Sequence, residues 1–210
     1  MRIDFCCCEV PRRLALGAIA LLCLTQAAAA SDITAPVEQL DAGLLQVMKA
    51  GKAAPFQQRY DVLAPLVTRA IDLDAILEGG VGPTWASLSA SDQAALKTAF
   101  QHYSIATYVA NFDEFNGEKF ELYPPAAGGD PVVKVKIVPG KPEDEAHVLG
   151  YVMRQSGGAW KAIDVTADST VSQVVAQQEE IRALVKAGGP GGLFVRLQQK
   201  TAQLSGGAVQ

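Results

Sequence analysis

"VVKVKIV", Val132 to Val138, is the stretch on which the fold turns. Val133, Val135 and Ile137 alternate with Lys134 and Lys136, the period of two that sends successive side chains to opposite faces of a strand. Phe120 and Leu122 alternate with Lys119 and Glu121 in the same way, His147 to Gln155 gives a third strand, and Ala159 to Val165 a fourth. Gly157 and Gly158 join the last two. Connections this short cannot make a parallel crossover, so the sheet is expected to be antiparallel. In the third strand, alternation alone allows either Leu149, Tyr151 and Met153 or Val148 and Val152 to face inward.

Outside this middle section the period changes to that of a helix. Ile33, Val37, Leu40, Leu44, Val47 and Met48 recur at helical spacing until Gly51 and Pro55. A second helix carries Tyr60, Leu63, Val67 and Ile71 on one face, with Pro65 expected to bend or divide it. Asp72 to Leu77 reads as a short helix ended by Gly79 and Gly80. In "LSASDQAALKTAF" Ser89 or Ser91 can cap a helix, with Asp92 in its positive first turn. That helix turns Leu96, Phe100, Tyr103 and Thr107 inward and is expected to reach Val109 or Ala110. In the tail, Val171, Val174, Val175, Gln178, Ile181 and Val185 form a stripe, Gly188 to Gly192 interrupts it, and Leu193, Leu197 and Leu204 suggest a last helix. Helices segregated from a small antiparallel sheet of about four strands define an α+β fold.

The first thirty residues differ in kind. Arg2, Arg12 and Arg13 precede the apolar run Leu14 to Leu24, and Ala27 to Ala30 supply small residues for a peptidase, so 1–30 are expected to be a secretory signal cut near Ala30. The run is far short of the roughly twenty residues that span a bilayer. Leu22, where a small residue is wanted before Cys23, argues against a lipid anchor, and without a cofactor motif the Arg12-Arg13 pair gives less reason for twin-arginine export than for the general secretory route. All four cysteines, Cys6, Cys7, Cys8 and Cys23, fall in this segment, leaving neither disulfide nor thiol nucleophile in 31–210, which is expected to be a single domain. With Arg2, Arg12, Arg13, Asp4 and Glu9 removed, fifteen basic residues face twenty acidic ones, a net of −5. That balance argues against nucleic acid and against strong attachment to anionic membranes.

Catalytic chemistry finds little to stand on. His102 and His147 are the only histidines and have no metal-ligand spacing. Ser104 near His102 lacks a nucleophile elbow. "GGPGG", Gly188 to Gly192, follows a helix instead of a strand and has no lysine after it, so a helix break with Pro190 opening the next helix explains it better than a phosphate cradle. Asp113-Glu114 and Glu143-Asp144-Glu145 sit in polar turns, where solvated carboxylates are expected.

"RYDVLAPLVTRAIDLDAIL", then Gly82 and Trp85, "SASDQAALKTAFQHYSIATYVANF", "YVMRQSGGAWKAIDV" and "VSQVVAQQEEIRALVKAGGPGGLFVRL" follow one another in an order that resembles the MlaC and toluene-tolerance family of periplasmic lipid-shuttle proteins, over about Leu40 to Leu204. "TADSTVSQVVAQQEE" is closer to the hopanoid-associated branch of that family than to the phospholipid branch. The resemblance implies a four-stranded sheet and helices enclosing a cavity for acyl chains, a phospholipid or hopanoid as cargo with no other cofactor, no catalysis, and transfer between inner- and outer-membrane complexes by a protein expected to be monomeric. The inward faces that would line such a cavity carry Trp85, Phe100, Tyr103, Tyr108, Phe112, Val133, Val135, Ile137, Leu149, Tyr151 and Met153. Two alternatives remain: a small cone-shaped α+β enzyme acting on a lipid precursor with Asp164 as base, and an envelope adaptor without cargo.

Overall fold

The computed structural model describes residues 32–128, 131–168 and 171–209; the expected signal at 1–30 lies outside them. Five helices and one five-stranded sheet form an α+β fold. The helices are α1 (Ala35–Ala50), α2 (Phe56–Ala70), α3 (Leu73–Val81), α4 (Ala90–Asn111) and α5 (Gln173–Ser205). The strands are β1 (Lys119–Tyr123), β2 (Val132–Val138), β3 (His147–Ser156), β4 (Ala159–Ala167) and β5 (Val171–Ser172), paired antiparallel in chain order. The two-residue β5 was not expected; it pairs with Thr166 and Ala167 just before α5 begins.

Register settles which residues of β3 face the core. Tyr151 pairs with Val133 on one side and Val165 on the other, and Leu149 pairs with Val135, so the inner stripe holds Tyr151 and Met153, both fully buried. Val148 and Val152 pair with Lys136 and Val132 and lie on the outer face. Between Val152 and Met153 the register shifts, leaving Ile163 of β4 opposite no residue, a bulge that keeps Met153 and Ala162 on the inner face beyond it. The lower part of β4 has no strand on its free side; Ile71 bridges to Ala162 there and Asp72 donates its N–H to the Ala162 carbonyl at 2.9 Å. A bare strand edge is thereby covered.

Of the two effects expected of Pro65 the division does not occur, and at Gly79-Gly80 the helices depart from the sequence reading. Pro65 does not divide α2, which runs unbroken from Phe56 to Ala70: the proline is on the exposed side while Leu63 and Val67 are completely buried, and packing outweighs its helix penalty of about 3 kcal/mol. Gly79 and Gly80 lie inside α3 and do not end it; Gly82, at φ 67°, is the left-handed residue that does. Gly80 serves packing, since a Cβ there would sit 3.0 Å from three atoms of Ile181. Two stripes are also shorter than expected: Ile71 lies just past the end of α2 in extended conformation, and of the tail stripe Val171 belongs to β5 and, like Val175, is exposed. Other signals hold. Ser89 caps α4 by accepting the Asp92 N–H at 3.1 Å. Gly189, at φ 66° and ψ −173°, breaks α5 ahead of Pro190. The break folds α5 back on itself, because Glu180 and Lys200 form an ion pair although a straight helix would place them about 30 Å apart.

One charged side chain of α1 lies against the core. Asp41 is 7 % exposed, and burial, followed by the neighbouring Glu38, raises its pKa to about 7. Such a carboxyl holds its proton more tightly folded than unfolded, so its stabilising contribution is complete below the unfolded value near 4 and is lost as pH rises toward 7. Stability is expected to fall across that window by up to about 4 kcal/mol, and Asp41→Asn to remove the fall, read from urea midpoints at pH 5 and pH 7.5. Asp32 and Asp168 shift downward and act oppositely, so the difference between variant and parent isolates Asp41; equal slopes in both would place the effect elsewhere. For the α3–α5 contact, Gly80→Val is expected to destabilise by roughly 1–3 kcal/mol through overpacking. An unchanged urea midpoint would mean that the first arm of α5 is free to move off α3.

Candidate functional site

Between the sheet and the helices the core is complete at one end and open at the other. Phe100 of α4 and Val133, Val135 and Met153 of the sheet belong to the filled core, each at most 2 % exposed. Further along, a cavity of about 530 Å³ remains, within the range of about 300–1,000 Å³ usual for small-molecule sites. Ile71, Leu73 and Ile76, from the α2–α3 junction, form its apolar buried end. Leu149, Tyr151 and Val165 contribute the sheet wall, and Tyr103, Thr107 and Tyr108 the α4 wall. The first arm of α5 closes the remaining side with Val174 and Gln177, and the cavity reaches the surface among the exposed Asn111, Gln173, Ala176 and Glu180.

Why the first arm of α5 stands off the sheet follows from its anchors. Its N-terminus is capped by Ser172, whose hydroxyl accepts the Val175 N–H at 2.9 Å and donates to Asp164 at 2.8 Å. One turn on, Gln178 donates to the Ile76 carbonyl at 3.2 Å, and Ile181 packs onto Gly80. At the rim Lys200 pairs with Glu180 and lies 5.4 Å from the centre of the Tyr103 ring, a cation–π contact that ties the second arm to α4. Asp164 is thus occupied in holding the start of α5 and is not part of the cavity wall.

Of the residues singled out from the sequence, Tyr103, Tyr108, Phe112, Leu149 and Tyr151 come together around the cavity. Tyr108 and Phe112 stack at 6.2 Å, and Phe112 meets Phe120 edge-on at 6.4 Å, extending the aromatic wall toward β1. Phe100, Val133, Val135 and Met153 belong to the filled core, Ile137 is half-buried near the end of β2, and Trp85 is half-buried in the turn before α4 with Lys97 over its ring. The α2–α3 junction and the first arm of α5 were not recognised from the sequence. Ile71 was read as one more member of a helical stripe, and of the α5 residues on the cavity only Val174 belonged to the stripe read from the sequence, the others being Gln173, Ala176, Gln177 and Glu180.

The wall is not wholly apolar. Tyr108 is pushed up to about 12 by burial and then by the charge of Asp41; Tyr151 is raised well above the usual phenol value by burial first, then by Tyr108 and Asp41. Both phenols therefore stay protonated and can donate hydrogen bonds. Two wall hydroxyls, Ser104 Oγ and Tyr151 Oη, are buried and make no hydrogen bond; each such group costs about 1–3 kcal/mol while unpaired.

The charged chemistry of the surface is engaged elsewhere. A second concavity, between the end of α1 and the turn after α4, is lined by Lys52, Asp113 and Glu114, which pair with one another at 3.2 and 3.1 Å. His147 sits 3.3 Å from Asp168, both exposed, and His102 meets the edge of Tyr60. Among the described residues no three His, Cys, Asp or Glu side chains gather as a metal site, and no helix is long and apolar enough to cross a membrane.

Comparison with known proteins agrees with this architecture. No curated protein sequence matches the chain. Among solved structures, the phospholipid-binding protein from Ralstonia solanacearum, determined in complex with a phospholipid, superposes with a TM-score of 0.68 at 21 % identity, over 83 % of this chain and 99 % of that one. At that identity the likeness speaks for the fold. The sequence signature of the family described as MlaC protein extends over residues 38–199, from α1 into the second arm of α5 and across every element that borders the cavity, and the chain belongs to the MlaC family.

Proposed function

We propose that this protein is a non-enzymatic lipid carrier that shelters the apolar part of a phospholipid in the cavity between α4, the first arm of α5 and the sheet. The observation that carries the reading is the cavity itself, a space of about 530 Å³ with an apolar buried end and a polar rim, in a fold shared with a protein solved with a phospholipid bound. Each methylene moved out of water contributes about 0.8 kcal/mol, so an apolar sleeve supplies ample affinity without any reacting group. The rim, with Asn111, Gln173 and Glu180, suits a headgroup that stays in water.

Export to the periplasm and exchange with membrane-bound complexes complete the reading. The charged, apolar and small-residue sequence of 1–30 supports secretion, and membership of the MlaC family supports a place in lipid traffic between the two membranes. A carrier of this kind needs an open rim and modest affinity at each end of its path. A cavity that reaches the surface among Asn111, Gln173, Ala176 and Glu180 meets that need.

Native mass spectrometry of the full chain, exported in a Gram-negative host and purified without detergent, is expected to show a bound phospholipid. Val165→Trp, which fills the cavity from the sheet side, is expected to reduce the occupied fraction at least several-fold, while Val195→Trp, on an exposed site of the second α5 arm, leaves it unchanged. A polycyclic lipid in place of the phospholipid would reassign the cargo to the hopanoid class. Repeated recovery of empty protein alone would overturn the carrier reading.

A further inference from the structure

Ser104 and Tyr151 are 5 % and 0 % exposed, both border the cavity, and both keep a hydroxyl oxygen with no partner. Nothing in the local structure requires a hydroxyl at either place. The helical threonines bond back to the preceding turn, Thr68 to the Ala64 carbonyl, Thr98 to that of Ala94, Thr107 to that of Tyr103 and Thr201 to that of Leu197, while Ser91 bonds Ser89 and Ser205 bonds Val209. Ser104, in the middle of α4, makes no such bond, although alanine is the better helix former there. Phenylalanine would fill the place of Tyr151 equally well without burying an oxygen. Buried polar groups are nearly always satisfied, and two exceptions in the lining of one cavity, one from α4 and one from β3, point to a partner that arrives with the guest. Arg59 Nε is also unpartnered, but its guanidinium is fixed by a 3.0 Å bond to the Val109 carbonyl and does not border the cavity.

We propose that Ser104 and Tyr151 form a polar subsite in the cavity wall, which receives a hydrogen-bonding oxygen carried on the apolar part of the guest lipid, either an ester carbonyl or a hydroxyl. The proposal rests on the carrier reading and narrows its cargo. A guest of bare hydrocarbon at this depth would leave both hydroxyls unpaired; one with an oxygen there satisfies them and is selected on that account. The oxygens are covered in the empty cavity, so the subsite opens as the cavity fills, and rotation about χ1 is the smallest movement that turns Ser104 Oγ toward a guest. Asp41, Tyr108 and Tyr151 lie close enough to influence one another electrostatically, so the surroundings of the subsite are polar as well.

The test uses two pairs of competitors for a fluorescent acyl-labelled phospholipid bound to the full chain: a diester phosphatidylethanolamine against its dialkyl ether analogue, and cholesterol against cholestane. In at least one pair the oxygenated member is expected to compete about tenfold better, and the pair in which it does so identifies the oxygen as carbonyl or hydroxyl. Tyr151→Phe and Ser104→Ala are expected to bring that ratio toward one while the Tm of the lipid-free protein stays equal to or above the parent's, because each removes a group that is unpaired without the guest. Equal competition within both pairs, ratios unaltered by both substitutions, or a lowered Tm in both variants would overturn the subsite while leaving the carrier reading intact. A labelled phospholipid that does not bind at all would overturn both.

Discussion

The structure depends on where the first arm of α5 is held. Asp164 and Ser172 fix its start at the sheet edge, and Gln178 and Ile181 fix its middle on α3. These points lie on two separate supports, so the arm bridges the space between them and cannot sink into it. Protein interiors otherwise close-pack, and helices that could settle onto the sheet would do so to bury Val165 and Leu149 more deeply. The approach at Gly80, which has no side chain, brings α5 against α3 at the distance that makes this bridge possible.

A void of this kind has a thermodynamic signature that the rest of the fold must offset. Its lining forgoes dispersion contacts and its two unpaired hydroxyls forgo hydrogen bonds. The compensation lies in the filled part of the core, where Leu40, Leu44, Leu63, Val67 and Phe100 of α1, α2 and α4 are buried in one cluster with residues of the sheet, and in the capped start of α4 and the covered edge of β4. Division of labour between a solid half and a hollow half lets one chain of modest size remain folded while empty and still accept a large apolar guest.

Much of the fold was legible because it is written in local signals. Alternation in β1 and β2, the serine cap of α4 and the glycine-proline break in α5 each act within a few residues, and each was read correctly, whereas the inward face of β3 was left open until its register with β2 and β4 was known. What failed were positions whose role is set by a distant partner. Gly79 and Gly80 read as a helix end until Gln178 and Ile181 come into view, and at Pro65 the sequence leaves a bend and a division of the helix equally open until its exposure and the burial of Leu63 and Val67 are known. The two-residue β5 is too short for a period to register.

The candidate site was legible in the same measure. Aromatic side chains on the inner face of α4 and the apolar residues of β3 are visible as patterns, but a pattern gives the inward direction and not the depth at which packing stops. Phe100 and Tyr103 belong to one helical stripe, yet the first is sealed in the core and the second stands on the cavity wall. The difference arises from their surroundings: Phe100 is enclosed by the buried cluster that also holds Val133, Val135 and Met153, whereas Tyr103 borders the space beside the first arm of α5. Chemistry was hidden for a related reason. Ser104 next to His102 suggested a reaction that the sequence could only set aside for want of a motif, while its position, without a partner beside an apolar space, becomes informative only once the sheet wall carrying Tyr151 is known. A hydroxyl that reads as incidental along the chain is conspicuous in three dimensions, because burial turns the absence of a partner into a preference for a guest that supplies one.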